Sequence, residues 1–373
     1  MSRSNVKKQP EQVFPSVLKF KIDSETPAYR QITTTLRDLI TSHALPAGLR
    51  LPTLKSLAKA WNTNYFTAQT GVSPLINEGL LESSPGRGTF VAGNAKRIKA
   101  IGVYYGGNFW TQTDGAFYQA LYVALCKELA EREIDVRLFI DSRPDTAQSV
   151  PFKPLQEAIK NSAVNAVIGL ALNSDNCTWM ENLELPFCVF SSRGHARSVC
   201  VDIRHLVQAS LKRLAAEGCR KVGLITVDSA TENIDKHFLK YAGQLGLTVS
   251  KAWIRLMPRG TAPREEFGFE QFKEVWSQQD RPDGILVYPD TIGRGVMTMV
   301  LGKGVRVPED LRLVMHRVEE TPFYCPLPVD WQLLSTLTTA KVLIDHVQAQ
   351  IAGNAPKRVQ IKTAWKSAVT ARG

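Results

Sequence analysis

The sequence predicts an α/β protein in which a small helical domain precedes two lobes, each built on a doubly wound parallel sheet. Basic residues are concentrated in residues 1–99, which hold 14 Lys and Arg against 6 Asp and Glu; the remaining residues hold 32 against 29. Helical periodicity in this first segment gives way to a hairpin pattern. From residue 100 onward, continuous apolar strands alternate with amphipathic helices in two successive series, which is typical of parallel sheets covered on both faces.

The composition is that of a globular protein. With 373 residues, of which 44% are hydrophobic, the chain is long enough for two or three domains with packed cores. It contains no run of about 18 apolar residues, and no apolar segment follows its basic start, so we expect a cytoplasmic protein that does not bind a membrane. The six cysteines form no CxxC pair and no histidine stands near them at ligand spacing. We therefore expect no metal and no cofactor.

The basic segment predicts three helices. A short apolar strand over residues 18–22 comes first. Thr26 is the expected N-cap of the first helix, and Pro27 is its expected first residue. Pro46-Ala47-Gly48 ends this helix, and a second one contains the apolar positions of residues 54–61. A turn that ends at Asn64 precedes the third helix.

The third helix has an outer face that suits contacts with DNA bases. Its inward positions by helical period are Ala68, Val72, Leu75 and Ile76. The outer face is polar and uncharged, and consists of Tyr65, Thr67, Gln69, Thr70 and Ser73. Such side chains hydrogen-bond to base edges, whereas a solvated helix more often has Lys and Glu. Gln69 can pair with adenine, and Tyr65 or Thr67 can reach thymine methyls or phosphate, although Tyr65 can instead pack at the helix start. Pro74 predicts a kink or a restart of this helix.

A hairpin follows the three helices. Pro85-Gly86-Arg87-Gly88 separates strand-like runs at 80–82 and 89–91, which leaves Arg87 exposed at the tip. A hairpin that is merely solvated is the alternative interpretation. The order of helices, turn and hairpin is that of a winged helix–turn–helix domain. The local excess of positive charge indicates a polyanionic partner, since a charge that only aids solubility is usually spread evenly.

The run TPAYRQITTTLRDLITSHALPAGLRLPTLKSLAKAW, with INEGLLESSPGRGTFVAG after it, resembles the DNA-binding domain of the GntR family of bacterial transcription regulators. The resemblance implies that the third helix enters the major groove and that the hairpin tip reaches the minor groove or the backbone. The implied DNA-contacting residues are Arg50, Thr53, Lys55, Asn64, Tyr65, Thr67, Gln69, Thr70, Arg87 and Gly88. Tyr65, Gln69 and Thr70 replace arginines that the family usually has, so we expect a different operator.

The remaining residues predict two series of strands and helices. The expected strands cover residues 100–105, 135–141, 166–172, 187–191, 222–226, 252–257, 284–288 and 311–314. The expected helices cover residues 117–133, 203–217, 234–245, 267–279 and 292–301. Two such series predict two lobes with a ligand cleft outside the carboxyl ends of the strands.

The part of the chain from residue 100 onward resembles the periplasmic-binding-protein-like sensor domain of the LacI/GalR family. The residues that support the resemblance are SVCVD with LKRLAAEGCRKVGLI, and RPDGILVYPD with GKGVRVPEDLRLV. The resemblance implies a dimeric sensor in which an effector in the cleft changes the spacing of two heads. It also implies that the chain crosses between lobes near 191–193, 316–319 and 329–332. The expected domains are 1–93, a linker over 94–99, and 100–373, with lobe one at 100–191 and 319–330 and lobe two at 192–318 and 331–373.

Loops after the predicted strands supply candidate effector-binding residues. These are Tyr105, Asn108, Phe109, Trp110, Phe117, Asp141, Asn173, Arg193, Asp290, Arg317 and Trp331. Aromatic and hydrogen-bonding groups together suit a sugar or a similar polar ring, although each aromatic could instead pack the core. Asp290 matches the aspartate of an Asn-Asp pair in the family, but Pro289 replaces the asparagine. Arg193 and Arg317 raise the hypothesis of an acidic effector, with pairing to nearby carboxylates as the alternative.

Enzyme motifs are missing from the sequence: it has no GxxxxGK[ST], HExxH or GxSxG. We expect a dimeric transcription repressor that binds operator DNA and responds to a small-molecule effector. A cytoplasmic small-molecule-binding protein whose basic head binds DNA only non-specifically is the alternative. A solute-binding protein is a further candidate by fold, which the basic head and the lack of a signal peptide disfavour. A fused aminotransferase is disfavoured by the regular two-lobed pattern.

Overall fold

The structure is a computed structural model, and it describes residues 18–23, 26–42, 44–84, 86–92, 98–107, 115–172, 178–191, 195–228, 233–258, 263–351 and 353–367. The chain divides into two compact units. The first consists mainly of Met1–Ile98 and is called the head domain below. The second contains most of the remaining chain and is called the two-lobed domain.

The head domain has the predicted winged helix–turn–helix order. Its helices are α1 (Ala28–Thr41), α2 (Leu54–Ala60) and α3 (Tyr65–Asn77), followed by strands β1 (Leu81–Ser84) and β2 (Gly88–Val91). The two strands pair antiparallel as a hairpin. Buried apolar residues of all three helices and of the hairpin form one core. An ion pair of 2.6 Å between Arg37 Nη2 on α1 and Glu78 Oε1 connects α1 to the end of α3.

The structure corrects two local predictions in the head domain and excludes one of the two alternatives given for a third. Residues 18–22 do not form a strand: Leu18 is fully buried, and its carbonyl accepts a hydrogen bond of 2.8 Å from Trp61 Nε1. Helix α1 begins one residue later than expected, with Pro27 as its N-cap and no side-chain cap. Helix α3 continues through Pro74 to Asn77. Proline removes only the bond to the carbonyl of Thr70, whose residue is exposed and accessible to water.

The two-lobed domain alternates strands and helices along the chain. Its strands are β3 (Ala100–Gly106), β4 (Asp135–Asp141), β5 (Ala166–Leu170), β6 (Phe187–Phe190), β7 (Ser198–Val201), β8 (Val222–Val227), β9 (Ile254–Met257), β10 (Gly284–Tyr288), β11 (Arg312–Val318), β12 (Asp330–Leu334), β13 (Val359–Ile361) and β14 (Ala364–Lys366). Its helices are α4 (Gly115–Glu131), α5 (Lys153–Lys160), α6 (Ile203–Ala216), α7 (Ile234–Gln244), α8 (Arg264–Trp276), α9 (Asp290–Gly302) and α10 (Thr336–Ile351).

These strands form two six-stranded sheets, one in each lobe. The first has the order β13-β7-β6-β5-β3-β4, and all its pairs are parallel. The second has the order β14-β12-β11-β10-β8-β9, in which only β14 runs antiparallel to its neighbour. The predicted fold class is confirmed: a winged helix–turn–helix domain is followed by two parallel α/β lobes.

The lobe membership of several segments differs from the prediction. Strands β7 and β13 belong to the first sheet, although the sequence places both in lobe two. Helix α10 also packs on lobe one, where Gln350 Nε2 donates to the carbonyl of Phe187 over 2.7 Å. Phe323 and Val329 lie in the core of lobe two, whereas residues 319–330 were assigned to lobe one. The chain therefore crosses between lobes near Asp202, Ser335 and Lys362. The strands that come before and after each of these points belong to different sheets.

Two features are absent from the described residues. Within the ranges given above, no helix is long and apolar enough to cross a membrane. Within the same ranges, no group of three His, Cys, Asp or Glu side chains is arranged to hold a metal ion.

Candidate DNA-binding and effector-binding sites

Two of the predicted DNA-contacting residues begin helices in the head domain. Asn64 is the N-cap of α3, and its Oδ1 accepts a hydrogen bond of 2.8 Å from the backbone N–H of Thr67. Thr53 is the N-cap of α2, and its Oγ1 accepts from the N–H of Ser56 over 3.2 Å. Both side chains thus satisfy backbone donors that helix starts leave open. They fix where the two helices of the motif begin.

The outer face of α3 is centred on a residue that sequence analysis did not include. Ala68, Val72 and Leu75 are buried, as predicted. Phe66 lies on the opposite side of the helix and is 77% exposed. Gln69 and Thr70 are exposed three and four residues after it, on the same face. The i, i+3, i+4 spacing was the signal for Phe66, but a side chain without a polar group was not expected on this face.

The flanks of this face are occupied by the remaining predicted residues of α3. Tyr65 is 41% exposed, and its ring meets that of Phe66 edge to face, with 5.9 Å between centroids. Thr67 is half-buried on the other flank. Ser73 is also half-buried, and its hydroxyl donates to the carbonyl of Gln69 over 2.8 Å. No charged side chain lies on the exposed face of α3, which is described over its full length.

The hairpin presents Arg87 in the turn between its two strands, where the residue is exposed. Gly86 and Gly88 on either side have φ of 75° and 112°, a region that other residues rarely adopt. A Cβ on Gly88 would lie 2.8 Å from Arg50 Nε, so the guanidinium of Arg50 packs against the base of the turn. Lys55 is exposed on α2. The hairpin and its surroundings thus present positive charge beside the uncharged face of α3.

A cavity of about 260 Å³ opens between the lobes of the two-lobed domain. Its walls contain aromatic side chains from both lobes together with an arginine, an aspartate and a histidine. The lining residues are Phe117, Tyr118, Phe190, Cys200, Val201, Val227, Arg264, Tyr288, Pro289, Asp290, His316, Val318 and Leu334. Several belong to carboxyl ends of parallel strands, where ligands bind in open α/β sheets.

His316 is a buried polar residue in the wall of this cavity. The residue is 3% exposed, and neither ring nitrogen has a hydrogen-bond partner. Its ring meets that of Tyr288 edge to face, with 4.9 Å between centroids. Burial lowers the pKa of His316, although the charge of Asp290 acts in the opposite direction. The imidazole is therefore neutral at neutral pH, with one ring nitrogen as a donor and the other as an acceptor, and both are buried in the wall of the cavity.

The two charged lining residues are held by a close helix contact. Arg264 is the first residue of α8, and Asp290 is the first residue of α9. A Cβ added to Gly295 would lie 1.8 Å from the carbonyl oxygen of Glu265, and one on Gly268 would lie 2.1 Å from that of Ile292. Only glycine permits the two helices to approach this closely. The packing of α8 on α9 thus fixes the positions from which Arg264 and Asp290 reach the cavity.

The structure brings only some of the predicted effector-binding residues to this cavity. Phe117 and Asp290 line it. Tyr105 is fully buried, and its ring contacts that of Tyr118, so it lies behind the wall. Trp331 is 8% exposed in the core of lobe two, and the Arg317 guanidinium carbon is 5.9 Å from its ring centroid. The predicted residues Asn108, Phe109, Trp110, Asn173 and Arg193 lie outside the described residues.

Asp141 has a structural environment that the sequence did not indicate. Its carboxylate is fully buried and accepts hydrogen bonds of 2.7 Å each from Tyr104 Oη and Arg143 Nη2. Burial raises the pKa of Asp141, but the hydrogen bonds from Arg143 and Tyr104 outweigh this effect and hold the pKa below its usual value. The residue is absent from the cavity lining. Its partners make it an internal ion pair of lobe one.

Sequence analysis predicted only Phe117 and Asp290 among the lining residues. Of those that it missed, five have aromatic or charged side chains: Tyr118, Phe190, Arg264, Tyr288 and His316. His316 and Tyr288 lie within predicted strands or just past them, so the rule that ligands bind at strand ends could have indicated them. Arg264 had no such signal, because it lies at the start of a helix that was expected to begin later.

Family models match one segment of each part of the chain. Residues 28–91 match the model of bacterial regulatory proteins of the gntR family. Residues 211–362 match the model of a periplasmic-binding-protein-like domain. The first match covers α1 to β2, and the second covers most of lobe two with α10 and β13.

Curated relatives match through the head domain. The HTH-type transcriptional repressor YtrA of Bacillus subtilis is 34% identical over 73 residues, which are 20% of this chain and 56% of that protein. The HTH-type transcriptional repressor STM4068 of Salmonella typhimurium is 34% identical over 86 residues, which are 23% of this chain and 34% of that protein. The matched segments thus span only about a third to a half of these relatives.

Solved structures match through the two-lobed domain. A regulatory protein of the LacI family from Chloroflexus aggregans has a TM-score of 0.59 and 17% identity, and the match covers 72% of this chain and 97% of that one. The Cra transcriptional dual regulator from Pseudomonas putida, solved with fructose 1-phosphate, has a TM-score of 0.55 and 16% identity, with coverage of 74% and 100%. At these identities the likeness shows the fold.

Proposed function

We propose that this chain, which joins a GntR-type DNA-binding domain to a periplasmic-binding-protein-like domain, is a ligand-responsive transcription regulator. The observation that best supports this proposal is the presence of two candidate binding surfaces in one chain. One is the exposed, uncharged face of α3 beside a basic hairpin, which suits the major groove. The other is a cavity with a buried histidine that has no partner.

The proposed DNA target is a two-fold operator bound by the paired heads of a homodimer. Helix–turn–helix proteins that dimerise read two half-sites related by the symmetry of the protein. We propose that the regulator is a repressor, because two relatives of the head domain, YtrA and STM4068, are transcriptional repressors by name. Gln69 and Thr70 would contact base edges, and Arg87 with Lys55 would contact phosphates.

The proposed effector is a small, neutral, polar ring molecule such as a sugar. Four aromatic side chains line the cavity, namely Phe117, Tyr118, Phe190 and Tyr288. Among the described lining residues, one cation, Arg264, is accompanied by one anion, Asp290. Arg317, which suggested an acidic effector from the sequence, stacks near Trp331 and does not line the cavity. The balanced charge therefore favours a neutral ligand over an acid.

The DNA-binding proposal is tested by fluorescence anisotropy with duplexes tiled from the region upstream of the gene and with scrambled duplexes, across a salt series. We expect one tile to bind about a thousandfold more tightly than scrambled DNA. Weak binding of every duplex with the same steep salt dependence would instead favour the alternative, a small-molecule-binding protein with a non-specific basic head.

The effector proposal is tested by thermal shift and calorimetry with a panel of neutral sugars and their phosphates. A neutral sugar should raise the midpoint of unfolding, because it binds only the folded protein. His316→Ala should abolish this shift. Arg317→Ala is the matched control: it removes a predicted residue outside the cavity and should leave the shift unchanged. Binding of sugar phosphates alone would contradict the neutral class.

A further inference from the structure

We propose that Phe66 reads the 5-methyl group of thymine in the major groove and makes the protein require a thymine at one position of each half-site. The inference rests on the proposed DNA binding by α3 and adds a specificity-determining residue to it. Phe66 is not among the residues that the family resemblance indicated, and it is the most exposed large apolar side chain described in the head domain.

The position of Phe66 follows from helix geometry. An α-helix turns by about 100° per residue, so Phe66 points almost directly away from Leu75, which is fully buried against the core. Gln69, Thr70 and Ser73 follow at i+3, i+4 and i+7, which places them on the same side as Phe66. Phe66 is thus at the N-terminal end of the midline of the exposed face. Residues near the N-terminus of a recognition helix are those that contact base edges.

The chemistry of the face limits what Phe66 can contact. Phosphate contacts come from cations or hydrogen-bond donors, and a phenyl ring has neither. In the major groove the apolar group of a base pair is the thymine methyl, with which phenylalanine makes apolar contact. Gln69, one turn later, can pair with adenine. The two side chains together therefore suit adjacent A·T pairs.

The neighbouring tyrosine supports this orientation. The ring of Tyr65 lies edge to face with that of Phe66, at an interplanar angle of 84°. Such a pair restricts the rotation of an otherwise solvated phenyl ring. Tyr65 is about half as exposed as Phe66, so it contributes to the position of the ring and leaves the tip of Phe66 accessible.

The test is selection of binding sites from a pool of random-sequence duplexes with the full-length protein, Phe66→Ala and Gln69→Ala. The wild type should enrich a two-fold site with an invariant thymine in each half. Phe66→Ala should enrich the same site with that thymine relaxed, whereas Gln69→Ala should relax a neighbouring adenine. In anisotropy, replacing that thymine with uracil should weaken wild-type binding by about fourfold per half-site, the effect of one buried methyl group, and should not affect Phe66→Ala.

Controls separate this inference from folding and from the proposed function. Phe66→Leu keeps an apolar contact and should retain part of the thymine preference. Tyr324→Ala removes an aromatic side chain that is 83% exposed in the two-lobed domain and should change nothing. If the wild type enriches a site and Phe66→Ala retains every preference, the role of Phe66 is wrong and the regulator proposal stands. If the wild type enriches no site, the proposed DNA recognition fails, and the role of Phe66 with it.

Discussion

The two proposed recognition sites of this chain are built in opposite ways. In the head domain the site is the outer face of one helix and the tip of one hairpin, so its residues are close in sequence. In the two-lobed domain the cavity combines residues from Phe117 to Leu334, which belong to different strands and helices. The head domain site therefore depends on exposed side chains, whereas the cavity depends on interior packing. Substitutions at the cavity should therefore change the free energy of unfolding, whereas substitutions at the head domain site should change the affinity for DNA.

The largest effect is expected for Gly295→Ala, which tests whether packing controls the cavity. The added Cβ would overlap the carbonyl oxygen of Glu265, so α8 and α9 must separate. We expect a loss of about 3 kcal/mol in the free energy of unfolding of the two-lobed domain, at the upper end of overpacking effects. Urea denaturation followed by tryptophan fluorescence measures it.

The matched control for Gly295→Ala is Gly302→Ala in the same helix. A Cβ on Gly302 meets no atom within 4 Å, and this residue ends α9. We expect no loss of stability there, and a gain of up to about 0.5 kcal/mol from higher helix propensity. Equal stability of the two variants would show that the close approach of α8 and α9 does not determine the position of Arg264 and Asp290.

A second effect concerns pH and tests the burial of His316. Since burial lowers its pKa in the folded protein, the unfolded chain binds a proton below about pH 6.5 that the folded chain does not. The free energy of unfolding should therefore fall with decreasing pH, by at most about 1.4 kcal/mol per pH unit from this group. His316→Gln should show a shallower decrease between pH 6.5 and 5.

The comparison with His316→Gln removes other contributions to the pH dependence. The pKa of His237 is also lowered, by burial and by the charges of Arg204 and Lys240, and this effect is common to both proteins. Parallel curves of unfolding free energy against pH would mean that His316 is not kept neutral by the fold. Denaturation by urea at several pH values measures the difference.

The smallest effect is expected for Arg87→Ala, which tests the exposed site. Removing one cation from the hairpin tip should weaken binding to all duplexes alike and reduce the slope of log affinity against log salt by about one. The stability of the protein should not change, because Arg87 is exposed. Lys153→Ala is the control, since this lysine is exposed in the two-lobed domain. A loss of affinity for one duplex only would contradict a phosphate contact.

The head domain could be predicted because its signals are local. The periodicity of Ala68, Val72 and Leu75, the cap at Asn64, and the glycines around Arg87 each determine the conformation of their own neighbourhood. Phe66 was the exception: the helical period places it on the outer face, but an apolar aromatic residue is usually buried.

The sequence by itself determined the winged helix–turn–helix head and the presence of two parallel α/β lobes, because hydrophobic periodicity and turn residues act over a few residues. Only the tertiary structure decided which lobe contains β7, β13 and α10, because strand pairing depends on partners that are far away in the chain. For the same reason the sequence placed Asp141 and Trp331 in the cleft. Their burial beside Tyr104, Arg143 and Phe323, and the convergence of Arg264 with His316, result from packing that no local pattern encodes.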